Sequence, residues 1–534
     1  KYSDPRSVWM AAAGNEKEKE LPKDTNKLFD VVLVVELQPG DNGKNVPFIS
    51  YRYPSLFSTD PFTASVTQFC FPDINQFPTE KMENETFSFV LTEGDGERRF
   101  GYCTRRLPSG TGPRYPIAYS IMTYFPCFPL YTKILQEVGY RYENISMKDL
   151  TQLVESIWQR PFPAPAESFE IKVLGEATYF TRPRDSGSQL EHLELKDILC
   201  SLDDRNILIV FVSLLLERRI IFCATKLSTL SSCIQAAVAL VYPFTWQHIY
   251  IPVLPKSLLS FVCAPMPFVV GILRSELNEV LSLPMDEVLI IDIDKNDFIR
   301  TPADSETHDL NLIPSNFVSQ LRRTLRNAAK AVKKQQKRRK EPKMDDMQLK
   351  HLEYQMHLLK EELADTFIQF FVVILTGYRD FLSTSSLLDR DAFIDSQPSE
   401  LQPFIRALTG AQMFECFLEE RRNGIADTSF EKRIDQNEML GEKLLACGIG
   451  EDKVDSLVPQ FGLDKEKKSS SRPGSKKAAN LMSGFATLRN PFKMSPASSD
   501  ENVASEIKST GSLDIPKHTG PQFVLPSLGN SNSC

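Results

Sequence analysis

The sequence lacks the short motifs with which enzymes hold a nucleotide, activate a serine or bind a catalytic metal. It contains no GxxxxGK(S/T) phosphate loop, no GxGxxG segment after a predicted strand and no GxSxG elbow. Its six histidines are scattered, and no two of them have the i,i+4 spacing of a helical metal pair. We therefore expect no catalytic residue, no metal and no cofactor, and the sequence argues against an enzyme that makes or breaks covalent bonds.

Paired cysteines, long apolar runs and an excess of basic residues are also missing. None of the ten cysteines belongs to a CxxC pair, and most lie in apolar segments, which predicts reduced, buried thiols in a cytoplasmic protein. The longest apolar runs, residues 207–216 and 367–375, are much shorter than the roughly 20 residues that cross a bilayer, so we expect any membrane contact to be peripheral. The net charge of −7 argues against nucleic acid as a partner.

Residues 206–292 contain apolar helix-like and strand-like segments that alternate almost without a polar gap. The predicted strands are short, rich in β-branched residues and continuously apolar, as is typical of strands that are covered on both faces. These strands are expected at residues 219–223, 248–253, 268–273 and 288–292, with helices at 207–217, 228–241, 256–261 and 275–283. The pattern predicts an α/β fold with a parallel sheet between layers of helices.

The residues before this block predict a different module, an antiparallel sheet with helices against it. Glu-Gly-Asp-Gly at the centre of residues 87–103 favours a tight turn, which predicts a hairpin there. Further strands are expected at 28–37, 48–53 and 115–123, and helices at 128–140 and 146–158.

The residues after 297 predict helices and a tail. The helices are expected at 316–340, 347–375 and 409–420. Residues 1–27 are expected to form a flexible N-terminus and residues 464–534 a disordered tail, because both are polar and weakly patterned.

Several longer segments resemble DENN-domain proteins. Four resemble the central part of that family: SLLLERRIIF (213–222), KLSTLSSC (226–233), YPFTWQHIYIPVLP (242–255) and CAPMPFVVGI (263–272). Three resemble its N-terminal part, namely FCFPD (69–73), TFSFVLT (86–92) and RRFGYCTRRLPSG (98–110), and TGAQMFECFLEERR (409–422) resembles its C-terminal part. The phrases FSFVLT, RRFGYC and LSTLSSC are most similar to the DENN domain containing 2 subfamily.

The resemblance covers residues 28–430 and implies an order of domains. A longin-like uDENN module, in which helices flank an antiparallel sheet, would occupy 28–178. An α/β cDENN module would occupy 195–320, and a helical dDENN module would occupy 321–432. This arrangement agrees with the elements predicted from the residue patterns.

The resemblance also implies an activity, guanine nucleotide exchange on a Rab small GTPase in vesicle trafficking, with late-endosomal Rabs favoured. The partner would be the GDP-bound Rab, and the protein would be cytoplasmic and peripherally associated with endosomal or vesicle membranes. Two other functions stay open. One is a non-catalytic DENN-type adaptor or scaffold that binds a small GTPase or a cytoskeletal partner. The other is a GTPase-activating role in which Arg105 or Arg106 is inserted into the GTPase.

The loop after the predicted helix 228–241 is the main candidate for the GTPase-binding surface, because aromatic residues flanked by polar ones are enriched in interface hot spots. Its candidates are Tyr242, Trp246, Gln247 and His248. The alternative is that Tyr242 and Trp246 fill core between helix and sheet. Four candidates come from the N-terminal part: Asp73, Gln76, Arg98 and Arg99.

A strongly basic predicted helix, residues 322–343, is the candidate for docking to an anionic membrane surface, where each basic residue near the lipid adds about 1 kcal/mol. The side chains expected at the membrane are Lys333, Lys334, Lys337 and Arg338. The alternative is a solvated helix face without a partner. Arg218 or Arg219 is expected to form a structural ion pair, with Glu217 or with a helix carboxylate.

Overall fold

The computed structural model describes most of the chain between Lys27 and Ala446. The described residues are 27–40, 43–54, 61–92, 96–144, 146–173, 176–182, 193, 195–302, 309–339, 346–383, 387–424 and 428–446. The predicted flexible N-terminus, apart from Lys27, and the whole predicted tail 464–534 lie outside these residues. The mixed α/β class predicted from the sequence is confirmed.

The first sheet is antiparallel and has five strands. They are β1 (Val31–Pro39), β2 (Asn45–Tyr53), β3 (Glu85–Thr92), β4 (Arg98–Arg106) and β5 (Ile117–Thr123). Their order across the sheet is β2-β1-β5-β4-β3. The predicted hairpin is the β3–β4 pair, in which Thr92 lies opposite Arg98.

Both faces of this sheet are covered, and alternate residues of β1 serve the two faces. Val32 and Val34 pack with helices α2 (Phe128–Asn144) and α3 (Met147–Trp158). A two-stranded hairpin, β6 (Ser168–Val173) and β7 (Glu176–Thr181), completes that side. Val31, Leu33 and Val35 pack instead with α1 (Pro61–Cys70) and with apolar residues of the next module: Leu227, Val253 and Leu273. The two modules therefore share one apolar core.

The second sheet has five strands, four of which pair in parallel. They are β8 (Arg219–Ala224), β9 (Ile249–Ile251), β10 (Phe268–Leu273), β11 (Val288–Asp292) and the antiparallel edge strand β12 (Asp297–Arg300). Their order is β12-β11-β8-β10-β9. The strand predicted at 248–253 has only three residues in β9, because Pro252 has no N–H to donate to a neighbouring strand. Strand β12 was not predicted.

Helices cover the second sheet, although two of the predicted ones are shorter than expected. They are α4 (Lys196–Ser201), α5 (Asp204–Leu215), α6 (Leu227–Ala239) and α7 (Leu277–Leu281). The helix predicted at 256–261 is the 3₁₀ segment Lys256–Cys263, and the helix predicted at 275–283 is a 3₁₀ turn followed by the five-residue α7.

The helices that follow the second sheet in the described part of the chain include α8 (Ser315–Arg339), α9 (Asp346–Leu375), α10 (Arg390–Ser396), α11 (Gln402–Thr409), α12 (Gln412–Arg422) and α13 (Thr428–Ala446). Aromatic side chains join two of them to the second sheet and its helices, which we call the central lobe. The ring centroid of Phe244 lies 5.2 Å from that of Phe371 in α9 and 5.1 Å from that of Phe417 in α12. None of the helices in the described part of the chain is both long and apolar enough to cross a membrane.

Gly271 in β10 is required by a close approach of the chain to itself. A Cβ atom at this position would lie 2.0 Å from the carbonyl oxygen of Pro252 and 2.6 Å from the side chain of Ile234. A backbone oxygen cannot move aside without distorting the sheet, so only glycine fits where the segment after β9 crosses β10.

We predict that Gly271→Ala lowers the free energy of unfolding by about 3 kcal/mol, because the added methyl group overpacks a rigid part of the core. Urea denaturation of the purified variants measures the loss. Gly410→Ala is the matched control, since Gly410 has ordinary right-handed helical angles and the nearest atom to its added Cβ would be 3.5 Å away. Equal stability of Gly271→Ala and the wild type would contradict the close approach.

Candidate functional site

Trp246 lies inside the core rather than on a surface. Only 1% of its side chain is exposed, and its indole N–H donates to the carbonyl oxygen of Ile249 at 3.1 Å. The alternative interpretation of Trp246 is therefore correct, and its role as a GTPase contact is withdrawn. Tyr242 is half-buried, with its ring edge-on to Phe430 of α13 at 6.3 Å between centroids.

Arg98 connects the first sheet to the loop of residues 242–248. From the first position of β4, its guanidinium donates to the carbonyl oxygens of Trp246 and of His248, the latter at 3.4 Å. It also lies over the ring of Tyr250, 5.3 Å from the centroid. Burial lowers the pKa of Arg98 below its usual value. The guanidinium of Arg98 is therefore engaged in contacts within the protein, and these contacts link the two sheets.

Glu217 fixes the start of α12 from a distance. Its carboxylate accepts the backbone N–H groups of Gln412 at 2.9 Å and Met413 at 2.8 Å, and it lies 3.1 Å from Nε2 of His248. The N-cap residue of α12 is Ala411, which has no side-chain acceptor for these N–H groups. The sequence interpretation missed this role of Glu217.

The pKa of Glu217 follows from these contacts. Burial raises this pKa, but the neighbouring His248 and the two backbone N–H groups lower it by more. The pKa of Glu217 therefore lies below its usual value. The ionised form is thus the one that the folded protein favours. His248 is part of this internal junction, and its side chain is only 13% exposed.

A second carboxylate, that of Glu85, fixes the start of α6 in the same way. It accepts the backbone N–H of Ser228 at 3.0 Å, whereas the N-cap residue Lys226 makes no capping bond of its own. Farther along α6, the amide of Gln235 donates to the hydroxyl of Ser88 at 2.6 Å. Strand β3 is thus hydrogen-bonded to α6 through both Glu85 and Ser88.

Arg105 and Asp73 form a buried ion pair at the far end of β4. The guanidinium of Arg105 lies 2.5 Å from the carboxylate of Asp73 and 2.9 Å from that of Glu85, and the residue is 2% exposed. Although burial lowers the pKa of Arg105, these two carboxylates raise it above its usual value. Arg105 is therefore not available for insertion into a GTPase, and Asp73 is withdrawn as a surface contact. Arg106 lies 4.0 Å from Glu143 of α2 and is mostly buried.

The predicted GTPase-binding residues do not form one cluster. Arg98 and Arg105 are seven residues apart on β4, which corresponds to roughly 23 Å along a strand. Gln76 is exposed near the Arg105 end, whereas Gln247 is partly exposed near the Arg98 end, where its amide donates to Thr245 O at 3.0 Å. Arg99 lies 4.0 Å from Asp30 and over the ring of Tyr124. Gln76, Gln247 and Arg99 remain the partly accessible candidates.

The two halves of the basic helix differ in their surroundings. Arg322 and Arg326 form ion pairs with Asp204 of α5 at 2.5 and 3.0 Å, which hold α8 against the central lobe. The four residues predicted to touch a membrane are all exposed: Lys333, Lys334, Lys337 and Arg338.

A separate ion pair joins Arg218 to Asp309 at 2.8 Å, so the expected structural ion pair is formed by Arg218.

Three family models match the chain in sequence order. They are the uDENN domain at residues 47–105, the DENN (AEX-3) domain at 114–296 and the dDENN domain at 389–433. The polar contacts that Arg98, Glu85 and Ser88 make between the two sheets lie in the first two matches, and the start of α12 lies in the third.

The chain is also similar to curated proteins. It is 36% identical over 431 residues to DENN domain-containing protein 2B of Homo sapiens (77% of this chain, 36% of that protein). It is 36% identical over 415 residues to protein 2A of Homo sapiens (74% and 40%). To protein 2D of Mus musculus it is 34% identical over 412 residues (73% and 82%). The match thus spans little more than a third of the length of 2B and four-fifths of 2D.

We predict that Glu217→Gln lowers the free energy of unfolding by about 2 kcal/mol at pH 7, because two backbone N–H groups at the start of α12 lose a charged acceptor. A group with a lowered folded-state pKa stabilises the fold fully above its unfolded pKa, near 4.5, and loses this effect as the pH falls through the folded value. The difference between wild type and variant should therefore narrow below about pH 4.5. Urea denaturation at a series of pH values measures it.

Glu419→Gln is the matched control, because Glu419 is an exposed carboxylate on α12 itself. We expect it to change stability by less than about 0.5 kcal/mol. A loss for Glu217→Gln that stayed constant down to pH 3 would show that the charge of Glu217 is not what α12 requires.

Proposed function

The chain belongs to the DENN domain-containing protein 2 family, and on that premise we propose that it promotes GDP release from a Rab GTPase. DENN-domain proteins are generally exchange factors for Rab GTPases. We further propose late-endosomal Rabs as the favoured class, and a longin-like uDENN module at 28–178, a cDENN module at 195–320 and a dDENN module at 321–432. The exchange breaks no covalent bond, so no catalytic residue and no cofactor are assigned.

One observation carries this proposal: the three DENN sections are joined by buried polar contacts. Arg98 of the first sheet donates to the loop 242–248, and Glu217, which lies between α5 and β8 and contacts His248 of that loop, accepts from α12. Buried charged groups of this kind resist separation, because removing one partner leaves the other unpaired. The protein therefore offers a preformed surface that spans two modules.

A preformed surface is what nucleotide exchange requires. A Rab releases GDP slowly because its switch loops and phosphate loop close over the nucleotide. An exchange factor accelerates release only to the extent that it binds the open form more tightly than the GDP-bound form. Each tenfold acceleration corresponds to about 1.4 kcal/mol of such preference. A rigid two-module surface supplies this preference because it does not adjust to the closed switch loops.

We propose that Gln247 contacts the GTPase. It lies in the loop between Trp246 and His248, whose carbonyl oxygens accept from Arg98, and its side chain is partly exposed together with that of Thr245. A Rab bound at this loop would touch residues from both sheets. Gln76 and Arg99 are the secondary candidates.

The proposed localisation is cytoplasmic, with peripheral binding to endosomal or vesicle membranes through Lys333, Lys334, Lys337 and Arg338.

We predict that the purified protein accelerates release of fluorescent GDP from one or two members of a Rab panel by at least about tenfold, and that Gln247→Ala slows this release roughly fivefold. The reason is that Gln247 loses a contact made to the open form of the GTPase. Stopped-flow or plate fluorescence measures the release rate, and thermal unfolding verifies that the variant is folded.

Gln402→Ala is the matched control: Gln402 is also a partly exposed glutamine whose amide donates to a nearby carbonyl, that of Gln397 at 3.0 Å, but it lies on α11. It should exchange at the wild-type rate. Binding to a Rab without faster GDP release would favour the adaptor function instead, and unaltered release from every Rab would contradict the proposal.

A further inference from the structure

A half-open cavity of about 340 Å³ lies between α8 and α9. This volume is at the lower end of the range of ligand pockets, roughly 300–1,000 Å³. Lys334 and Arg338 line it from α8, and Leu358 and Leu359 line it from α9, with Glu362 also at its wall. Two cations four residues apart on a helix lie on the same face, so both can reach one anion in the cavity.

Gln335 provides a second sign that the cavity takes a polar ligand. Its side chain is 7% exposed and lines the cavity, yet none of the hydrogen bonds found among the described residues uses its amide. Its amide atoms are not sealed in the core, and they line the cavity without a partner among the described residues. The amide can therefore donate to a ligand in the cavity.

Apolar side chains are exposed beside this basic cavity. Met347, Tyr354 and Leu358 are 81%, 59% and 45% exposed, and Leu358 is itself a lining residue. Their spacing of seven and four residues places them along one stripe of α9. Basic side chains next to exposed apolar ones are typical of helices that lie in the interfacial region of a membrane.

The position of these residues along the two helices is also consistent with a single contact surface. Helix α8 ends at Arg339 and α9 begins at Asp346, so Arg338 and Met347 lie toward the same end of the helix pair. The opposite part of α8 is fixed, since Arg322 and Arg326 pair with Asp204. A membrane bound at the free end would therefore orient the central lobe as well.

We propose that this end of the α8–α9 pair binds an anionic membrane through the phosphorylated headgroup of a phosphoinositide. The headgroup phosphate enters the cavity between Lys334 and Arg338 and accepts from Gln335, while Met347, Tyr354 and Leu358 enter the lipid headgroup region. A phosphate monoester carries a charge of about −1.5 to −2 and suits a concave dibasic site, whereas serine headgroups would need only a flat basic surface. This inference deepens the membrane docking in the proposed function.

The test compares two kinds of vesicle with the same total negative charge, one containing phosphatidylserine and the other containing a phosphoinositide in its place. We expect the intact chain to bind the phosphoinositide vesicles about tenfold more tightly in a sedimentation assay. The variant Lys334→Gln/Arg338→Gln should lose this preference, because both cations of the cavity are removed. Equal binding of the intact chain to the two kinds of vesicle would overturn the proposal.

Lys333→Gln/Lys337→Gln is the matched control. These lysines have the same spacing on the same helix and are exposed, but they are not among the side chains that line the cavity. The control should weaken binding to both kinds of vesicle equally and keep the tenfold preference, because only the general attraction to negative charge is reduced. Loss of the preference in the control would contradict a role for the cavity.

A fluorescent reporter tests the apolar contact separately. Tyr354→Trp should show a blue shift of the tryptophan emission on phosphoinositide vesicles and quenching by brominated acyl chains, relative to the intact chain. An unshifted emission with normal vesicle binding would overturn the insertion of the α9 stripe. Neither measurement contains a GTPase. If vesicle binding failed while GDP release was intact, this inference would be contradicted and the proposed exchange activity would not.

Discussion

Helices α6 and α12 begin at N-cap residues whose side chains do not cap them, and both are capped by carboxylates from distant parts of the chain. Lys226 and Ala411 stand at the N-cap positions of α6 and α12. The missing acceptors come from Glu85, 143 residues before Ser228, and from Glu217, 195 residues before Gln412. The N–H groups of a helix's first turn have no partner within the helix. The two carboxylates that accept them therefore tie the first sheet to the central lobe and the central lobe to the C-terminal helices.

The loop 242–248 is a further junction between sections of the chain. Arg98 donates to two of its carbonyl oxygens from one side, and Glu217 lies against His248 from the other. Each contact is largely buried, so loss of one partner leaves an unpaired polar group. The three sections behave as one unit for that reason, and a rigid unit is what an exchange factor needs in order to favour one conformation of its partner.

The sequence predicted the elements much better than the contacts among them. Continuous apolar strands such as β8 and β10 and the pairing of β3 with β4 follow from local signals, and the structure confirms them. The strand predicted at 248–253 is longer than the observed β9, because periodicity alone does not show where a proline ends the pairing between strands. For the site, the sequence motifs indicated that residues 242–248 and 98–99 are candidates for GTPase binding. They did not indicate that Arg98 and Trp246, which are 148 residues apart, contact each other. The poor N-cap residues of α6 and α12 were visible signals of a distant acceptor, although nothing in the sequence identifies which carboxylate it is.

The most direct test of this account is the rate of GDP release by folded Glu217→Gln protein at pH 7, measured with the responsive Rab. If the joined sections create the surface that opens the GTPase, release should be about tenfold slower than with wild type, which corresponds to about 1.4 kcal/mol of lost preference for the open form. A folded Glu217→Gln protein that released GDP at the wild-type rate would contradict the central claim, because exchange would then not depend on the junction of the three sections.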